Sequence, residues 1–193
     1  VKFQTFNAET LVTQKASKAN YQIKNVEEQN ESQFDMLKKL EIPKNWYPKL
    51  IEHCKKKDIQ FMSTGFDEES NDFLASLKLP FFKIPSGEIT NKPYIDHLSK
   101  KGKNIILSTG MASLFEIKEA LKIMKSNGLS KKQITVLHCN TEYPTPYMDV
   151  NLNAMKTMKK ELDVEIGYSD HTLGIEVPIA AVALGAKIIE KHF

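Results

Sequence analysis

The chain has 193 residues, of which 41% are hydrophobic and 26% charged, and its formal net charge is +3. This composition is typical of one globular domain with a substantial core, and it excludes disorder over most of the chain. The 27 basic residues are mixed with 24 acidic ones, and no apolar run approaches the roughly 20 residues needed to span a bilayer. We therefore expect no nucleic acid and no membrane as partners. The two cysteines, Cys54 and Cys139, show no metal or disulfide spacing, which is typical of a reducing compartment and predicts a cytoplasmic protein.

Seven short runs rich in β-branched and aromatic residues predict strands. In chain order they are residues 1–6, 59–63, 81–85, 104–108, 134–139, 164–168 and 187–192. Helix-length amphipathic segments lie between most of them, most clearly at 113–127 and 174–184. Apolar strands that alternate with helices indicate a buried parallel sheet. The predicted fold class is α/β, an incomplete TIM (βα)8 barrel with about seven of the eight strands in this chain.

Residues 7–57 are too many for one strand-to-strand crossover. Their second half carries two helical patterns, at 32–40 and 46–57, whereas the polar first half, 8–30, predicts a loop excursion over the site. Both ends of the chain fall inside predicted strands. We therefore expect a piece of a longer protein, lacking one strand before Val1 and one helix after Phe193.

Each predicted strand ends in polar residues that could hold an anion or a metal ion, and in a βα barrel such ends converge on the active site. The stretch 83–88 places Lys83 inside a strand and Ser86 and Glu88 at its exit. A lysine in an apolar strand is costly unless it is paired, so Lys83 and Ser86 are candidate ligands of a phosphate or carboxylate rather than a structural accident. Lys2 repeats this pattern in the first strand. Two lysines at one barrel mouth indicate an anion with more than one charge.

Three further patterns are compatible with a site. Residues 63–65 and 108–110 both read Ser-Thr-Gly, which offers hydroxyl ligands but also makes an ordinary capped turn. His171 follows one predicted strand and His192 ends the next, so the two imidazoles could share a divalent metal ion, or they could be two unrelated buried histidines. The prolines of the 143–146 stretch restrict the backbone and would hold Tyr143 at a fixed place over the site.

Taken in order, these stretches resemble the sialic acid synthase family, whose enzymes condense phosphoenolpyruvate with an N-acetylated amino sugar to give a nonulosonic acid. The matching blocks are residues 2–5 (KFQT), 61–64 (FMST), 83–88 (KIPSGE), 107–111 (LSTGM), 137–140 (LHCN), 143–146 (YPTP), 167–172 (GYSDHT) and 189–193 (IEKHF). The resemblance implies a metal-assisted transferase of sialic acid biosynthesis. Its acceptor would be N-acetylmannosamine or a diacetamido relative, and the full-length protein would be a homodimer.

The resemblance also implies roles for individual residues. The substrate-binding residues would be Lys2, Gln4, Thr64, Lys83, Ser86, Ser108, Asn140, Thr141 and Ser169. The residues that contact the acceptor, position water or serve the metal would be Glu88, Tyr143, Glu190 and His192. A Mn²⁺ or Mg²⁺ ion would be held by His171 and His192 and would polarise the aldehyde of the open-chain sugar.

A family member normally begins with a further strand that carries a glutamate near the metal, and it continues into an antifreeze-like C-terminal domain. Neither is recognised here, so residues 1–193 are expected to be a partial catalytic barrel that is inactive in isolation. Two alternatives stay open. One is an aldolase that forms a Schiff base through Lys83, and the other is a non-catalytic barrel that binds sugar phosphates.

Overall fold

The computed structural model describes residues 1–25 and 31–192, which divide into two compact units, Val1–Leu79 and a second unit that begins at Pro80. The elements of the first unit are β1 (Lys2–Thr5), α1 (Ala8–Leu11), α2 (Asn20–Asn25), α3 (Gln33–Leu40), α4 (Tyr47–Lys56), β2 (Met62–Gly65) and α5 (Glu68–Ser76). The strands β1 and β2 pair in parallel, with Gln4 opposite Thr64. A parallel pair of this kind is the expected product of strands separated by helical connections.

The core of the first unit is built around Tyr47, whose side chain is fully buried. Its ring packs edge-on against Phe73 and Phe61, with centroids 4.9 and 6.1 Å away. A buried tyrosine hydroxyl needs a hydrogen-bond partner, and here it lies 2.7 Å from Thr5 Oγ1, which is itself 2.7 Å from Ser63 Oγ. This network ties helix α4 to both strands.

The second unit is a run of alternating strands and helices. Its elements are β3 (Phe81–Ile84), α6 (Lys92–Ser99), β4 (Asn104–Ser108), α7 (Leu114–Ser126), β5 (Ile134–Cys139), α8 (Asn153–Leu162), β6 (Glu165–Asp170), α9 (Glu176–Ala183) and β7 (Ile189–Lys191). The five strands form one parallel sheet in the order β3-β4-β5-β6-β7. All their carboxyl ends therefore lie along one edge of the sheet.

Local sequence signals explain the best-defined elements. Helix α7 begins with a capping box, in which the Ser113 hydroxyl accepts the Glu116 backbone N–H and the Glu116 carboxylate accepts the Ser113 backbone N–H. Its apolar positions, among them Ile117, Leu121 and Met124, are buried. Strands β4 and β5 have the predicted bounds because each is an uninterrupted apolar run flanked by polar residues.

Two sequence-based expectations differ from the structure. The segment expected to be a loop excursion contains the short helices α1 and α2, while its residues 26–30 lie outside the described part of the chain. Strand β2 begins three residues later than predicted, because Ile59 closes the end of α4 by donating its N–H to the Cys54 carbonyl at 2.9 Å. Among the described residues, no helix is both long and apolar enough to cross a membrane.

Candidate active site

A buried lysine lies at the centre of the second unit's site. Lys83 is only 3% exposed, and its Nζ donates to Ser108 Oγ at 2.6 Å and to the Ile84 carbonyl at 3.2 Å. Its Nζ also lies 3.7 Å from Glu190 Oε1, and this same oxygen accepts a 2.7 Å hydrogen bond from Ser169 Oγ. These contacts offset the cost of burying the ammonium group. The predicted residues Lys83, Ser108, Ser169 and Glu190 thus form one cluster.

This cluster shows that the five-stranded sheet is curled. Lys83 comes from β3 and Glu190 from β7, which are the two outer strands of the sheet. If the sheet were flat, strands spaced about 4.8 Å apart would separate the two edges by roughly 19 Å. The 3.7 Å approach of the two side chains requires strong curvature, as in a barrel wall.

Three aromatic rings form a second cluster just beyond the strand ends. The His171 and His192 ring centroids are 5.1 Å apart, and the Tyr143 ring lies 4.1 Å from His171 and 5.7 Å from His192. Tyr143 belongs to the proline-rich segment after β5, and its ring lies beside the two imidazoles. The structure therefore brings His171 and His192 together.

The protonation state of His171 suits a metal ligand. Its Nδ1 lies 2.9 Å from the Asn140 carbonyl oxygen, and a carbonyl only accepts, so Nδ1 carries the proton and the Nε2 lone pair remains available. Burial lowers the pKa of His171 to about 4, against the opposing effect of the Asn140 hydrogen bond, with the His192 charge lowering it further. The imidazole is therefore neutral near pH 7.

These two imidazoles fit two positions of a divalent metal site. The described residues contain no group of three or more His, Cys, Asp or Glu side chains that could hold a metal ion. An ion bound here would therefore take its other ligands from water, substrate or other parts of the protein. Open positions of this kind are a feature of catalytic metal sites.

The loops after β3, β4 and β5 meet at Gly110, whose φ is +53°. A Cβ atom at this position would lie 2.7 Å from Ser86 Cβ and 3.1 Å from Thr141 Cγ2. Glycine is needed here both for its conformation and for this close approach. The structure thus places Ser86 and Thr141, both predicted substrate ligands, on either side of one glycine.

Asn140 and Glu88 also lie near the carboxyl edge of the sheet, and each already has one polar atom in a hydrogen bond with a neighbouring residue. Asn140 Nδ2 donates to the Asp149 carbonyl at 2.7 Å, while its buried Oδ1 has no hydrogen-bond partner among the residues described. The atom left for a ligand is therefore an acceptor, which suits a hydroxyl group; binding an anion would need the amide reversed. Glu88 Oε2 accepts a 2.7 Å hydrogen bond from Asn91 and is partly exposed.

The remaining predicted residues belong to the first unit. Lys2 Nζ lies 3.5 Å from the buried Thr64 Oγ1, and Gln4 is the strand partner of Thr64. Lys2 and Gln4 are two residues apart in β1 and so share one face of the strand. The structure thus groups these three side chains within their own unit.

Comparison with known proteins identifies the family. The sequence model of the NeuB family matches residues 1–193. The chain belongs to the NeuB family. The sequence-based prediction of the family is therefore confirmed.

Relatives within the NeuB family share the full length of this chain. It is 53% identical to the N,N'-diacetyllegionaminic acid synthase of Campylobacter jejuni, covering 100% of this chain and 58% of that protein. It is 50% identical to the protein of the same name from Legionella pneumophila, covering 100% of this chain and 54% of the relative. The chain thus spans about half the length of the curated relatives it matches.

The fold also matches solved NeuB-like structures. The citrate-bound crystal structure of an N-acetylneuraminic acid synthetase from Leptospira borgpetersenii is 35% identical, with a TM-score of 0.83 over 100% of this chain and 61% of that one. The predicted α/β fold, an incomplete TIM barrel, is confirmed by this likeness and by the curled parallel sheet. The roles predicted for individual residues stay predictions.

One feature of this NeuB family site was missed from sequence, namely an ion pair between Asp170 and Lys191, whose Oδ2 and Nζ atoms are 2.5 Å apart. Burial tends to raise the pKa of the Asp170 carboxyl, but hydrogen bonds from Lys191 and Thr172 outweigh it and keep this pKa below its ordinary value. A charged residue at a matching position in each of two successive strands was the signal that could have indicated the pair.

Proposed function

We propose that the protein, at its natural length, condenses phosphoenolpyruvate with an N-acetylated amino sugar to give a nonulosonic acid and phosphate. The observation that carries this proposal is that two clusters lie at the same edge of the sheet. One is the buried Lys83 ammonium with its Ser108 hydroxyl partner, and the other is the neutral His171 beside His192. The first suits a small polyanion and the second a metal-bound carbonyl. Membership of the NeuB family and the names of its relatives support the same chemistry.

The chain's own groups would each serve a step of this reaction. Lys83, Ser86 and Ser108 would bind the phosphate and carboxylate of phosphoenolpyruvate and orient its enol carbon. A divalent ion held by His171 and His192 would polarise the sugar aldehyde that the enol carbon attacks. Water then adds to the oxocarbenium-like carbon, and phosphate leaves by cleavage of the carbon–oxygen bond.

Other predicted residues would act on the acceptor and the water. Tyr143, packed against both imidazoles, would form one wall of the acceptor site. Glu190, fixed by Ser169 and close to Lys83, would position the attacking water, and Glu88 would contact the sugar. Lys2, Gln4 and Thr64 belong to the first unit, and their predicted substrate-binding roles rest on the family resemblance alone.

The contacts of Lys83 are unfavourable to the aldolase alternative. A Schiff-base lysine must be neutral to act as a nucleophile. Burial favours the neutral amine, but the Glu190 carboxylate 3.7 Å from Nζ and the hydrogen bonds that Nζ donates to Ser108 and the Ile84 carbonyl favour the charged ammonium form. We also infer a cytoplasmic protein, in line with the two free cysteines, and a homodimer, which rests on the family resemblance alone.

The test is product identification. The protein at its natural length is incubated with phosphoenolpyruvate, Mn²⁺ and either N-acetylmannosamine or a diacetamido sugar, and products are identified by mass spectrometry alongside phosphate release. Because both relatives described above are named diacetyllegionaminic acid synthases, we expect the diacetamido sugar to be the better acceptor. The 193-residue chain alone is expected to be inactive, and measurable condensation by it would contradict this expectation. A borohydride-trapped adduct on Lys83 would favour the aldolase instead.

Replacing Gly110 by alanine is expected to impair phosphoenolpyruvate binding. The new Cβ would lie 2.7 Å from Ser86 Cβ, so Ser86 must move, and the φ of +53° would strain any L-residue by about 1–2 kcal/mol. Gly102→Ala is a matched control, since its φ is +67° and nothing lies within 4 Å of its Cβ position. Both variants should lose unfolding free energy in urea through the backbone strain, and Gly110→Ala should lose more because its Cβ also displaces Ser86. Only Gly110→Ala should raise KM for phosphoenolpyruvate, by about tenfold or more, and equal KM values in the two variants would contradict the assigned role of Ser86.

A further inference from the structure

Strands β6 and β7 carry two consecutive cross-strand pairs of functional groups, and two neighbouring histidines follow them. The register places Ser169 opposite Glu190 and Asp170 opposite Lys191. Successive side chains of a strand point to opposite faces, so the two pairs lie on opposite sides of the sheet. The first is the hydrogen bond between Ser169 and Glu190, and the second is the Asp170–Lys191 ion pair. One residue beyond the end of each strand lie His171 and His192, whose ring centroids are 5.1 Å apart.

Lys191 contacts the residues on both sides of His171, the side chain of Asp170 and the backbone of Thr172. Lys191 Nζ lies 2.5 Å from Asp170 Oδ2 and donates to the Thr172 carbonyl at 2.8 Å. The other carboxylate oxygen, Asp170 Oδ1, accepts the Thr172 N–H at 3.1 Å and the Thr172 hydroxyl at 2.8 Å. The Lys191 ammonium group therefore contacts both the residue before His171 and the residue after it. Lys191 is also the residue directly before His192.

This pair has a positional consequence that an apolar pair would lack. Replacing a buried ion pair by apolar residues is often neutral or even stabilising, so the pair is weak evidence for stability alone. A slip of β7 by one residue against β6 would turn the side chains of β7 to the other face of the sheet, and it would take His192 away from His171. Asp170 Oδ1 is satisfied locally by Thr172, but the other oxygen of this fully buried carboxylate pairs with Lys191, which a slip would turn away from it.

We propose that Asp170 and Lys191 form a positioning pair that sets the separation and orientation of the His171 and His192 imidazoles for a shared divalent metal ion. The proposal rests on the proposed function, because it needs these imidazoles to be metal ligands. The groups that hold a ligand in place commonly govern metal affinity without touching the metal.

The test measures Mn²⁺ affinity directly, by electron paramagnetic resonance of the free aqua-ion during titration of the protein at its natural length. Lys191→Met removes the ammonium but keeps the length of the side chain, and we expect the dissociation constant to rise about 10–100-fold. Lys191→Arg, which keeps charge and donors, should recover much of the affinity. Lys118→Met is the matched control, since it breaks an ion pair of 2.9 Å with Glu161 that joins α7 to α8 on the surface. It should leave Mn²⁺ affinity unchanged.

A second variant removes the other partner. Asp170→Asn should weaken Mn²⁺ binding to a similar extent, and the double variant Asp170→Asn/Lys191→Met should be no weaker than the worse single variant, because the two residues act as one unit. Asp170 is fully buried and its variant could fail to fold, whereas the Lys191 side chain is 29% exposed. If thermal unfolding shows that only Lys191→Met is folded, the Mn²⁺ affinity of that variant decides the test.

The possible failures are distinguishable. If His171→Gln and His192→Gln abolish Mn²⁺ binding while folded Lys191→Met binds as tightly as the parent, the positioning pair is wrong and the metal site stands. If both histidine variants bind Mn²⁺ like the parent, the metal site of the proposed function is wrong. Loss of affinity in Lys191→Met with no recovery in Lys191→Arg would also contradict the proposal, because the charge and donors would then not be what positions the histidines.

Discussion

Replacing Lys83 by methionine is expected to lower kcat/KM for phosphoenolpyruvate by at least about 10²-fold, the loss typical of removing one electrostatic ligand of a reacting anion. The ammonium group is 3% exposed, lies among the strand ends and already donates to Ser108, so an anion that binds there would meet a desolvated cation. Interactions of this kind are stronger in a dry site than in water. Steady-state kinetics with varied phosphoenolpyruvate measures the effect.

A second variant separates this loss from any loss of stability. Lys83→Met alone removes a cation that lies 3.7 Å from Glu190, and so it should also lower the unfolding free energy. In Lys83→Met/Glu190→Gln both charges are gone, so stability should recover. Because Glu190 is itself assigned to the attacking water, Glu190→Gln alone is the reference for activity, and the double variant should have a lower kcat/KM for phosphoenolpyruvate than that reference. Lys132→Met, at an exposed lysine in the turn before β5, should match the parent in both respects. A kcat/KM for phosphoenolpyruvate within about threefold of the parent in Lys83→Met would show that this cation does not bind the substrate.

The sequence predicts a candidate site residue well where the residue type and its place in a strand already require particular neighbours. A lysine in an apolar strand must find partners, and Lys83 does find Ser108 and Glu190. Two histidines at the ends of neighbouring parallel strands must lie close, and the His171 and His192 rings are 5.1 Å apart. In each case the physical requirement is local, because it depends on the residue and on its place in one strand.

Features that depend on contacts between distant segments could not be predicted in this way. The glycine at position 110 is required by the approach of Ser86 and Thr141, which come from two other loops. Strand β2 was predicted to start three residues too early because Ile59, an apolar residue that favours strands, serves instead to close helix α4. Helix α1 is supported by the Glu41 carboxylate, which accepts the Ala8 N–H at 2.7 Å from 33 residues away. Composition around residue 8 gives no sign of this bond.

Replacing His171 by glutamine is expected to weaken Mn²⁺ binding more than about 100-fold, beyond the 10–100-fold cost typical of groups that only support a ligand. Glutamine keeps a donor for the Asn140 carbonyl but lacks the imidazole lone pair that would bind the ion. His138→Gln is a closely matched control. Like His171, His138 is partly buried and has a ring nitrogen close to a backbone carbonyl, in this case Nε2 at 2.7 Å from the Val150 oxygen. Burial lowers the pKa of His138 as it does that of His171.

The comparison decides whether the paired arrangement matters. His138 packs against Tyr168, with ring centroids 5.7 Å apart, whereas His171 has a second imidazole beside it. Titration of free Mn²⁺ should therefore give parent-like affinity for His138→Gln and a large loss for His171→Gln and His192→Gln. Equal losses at positions 138 and 171 would mean that the effect comes from disturbing a buried histidine. The imidazole pair would then be a packing contact, and the polarising group for the aldehyde would have to be sought elsewhere.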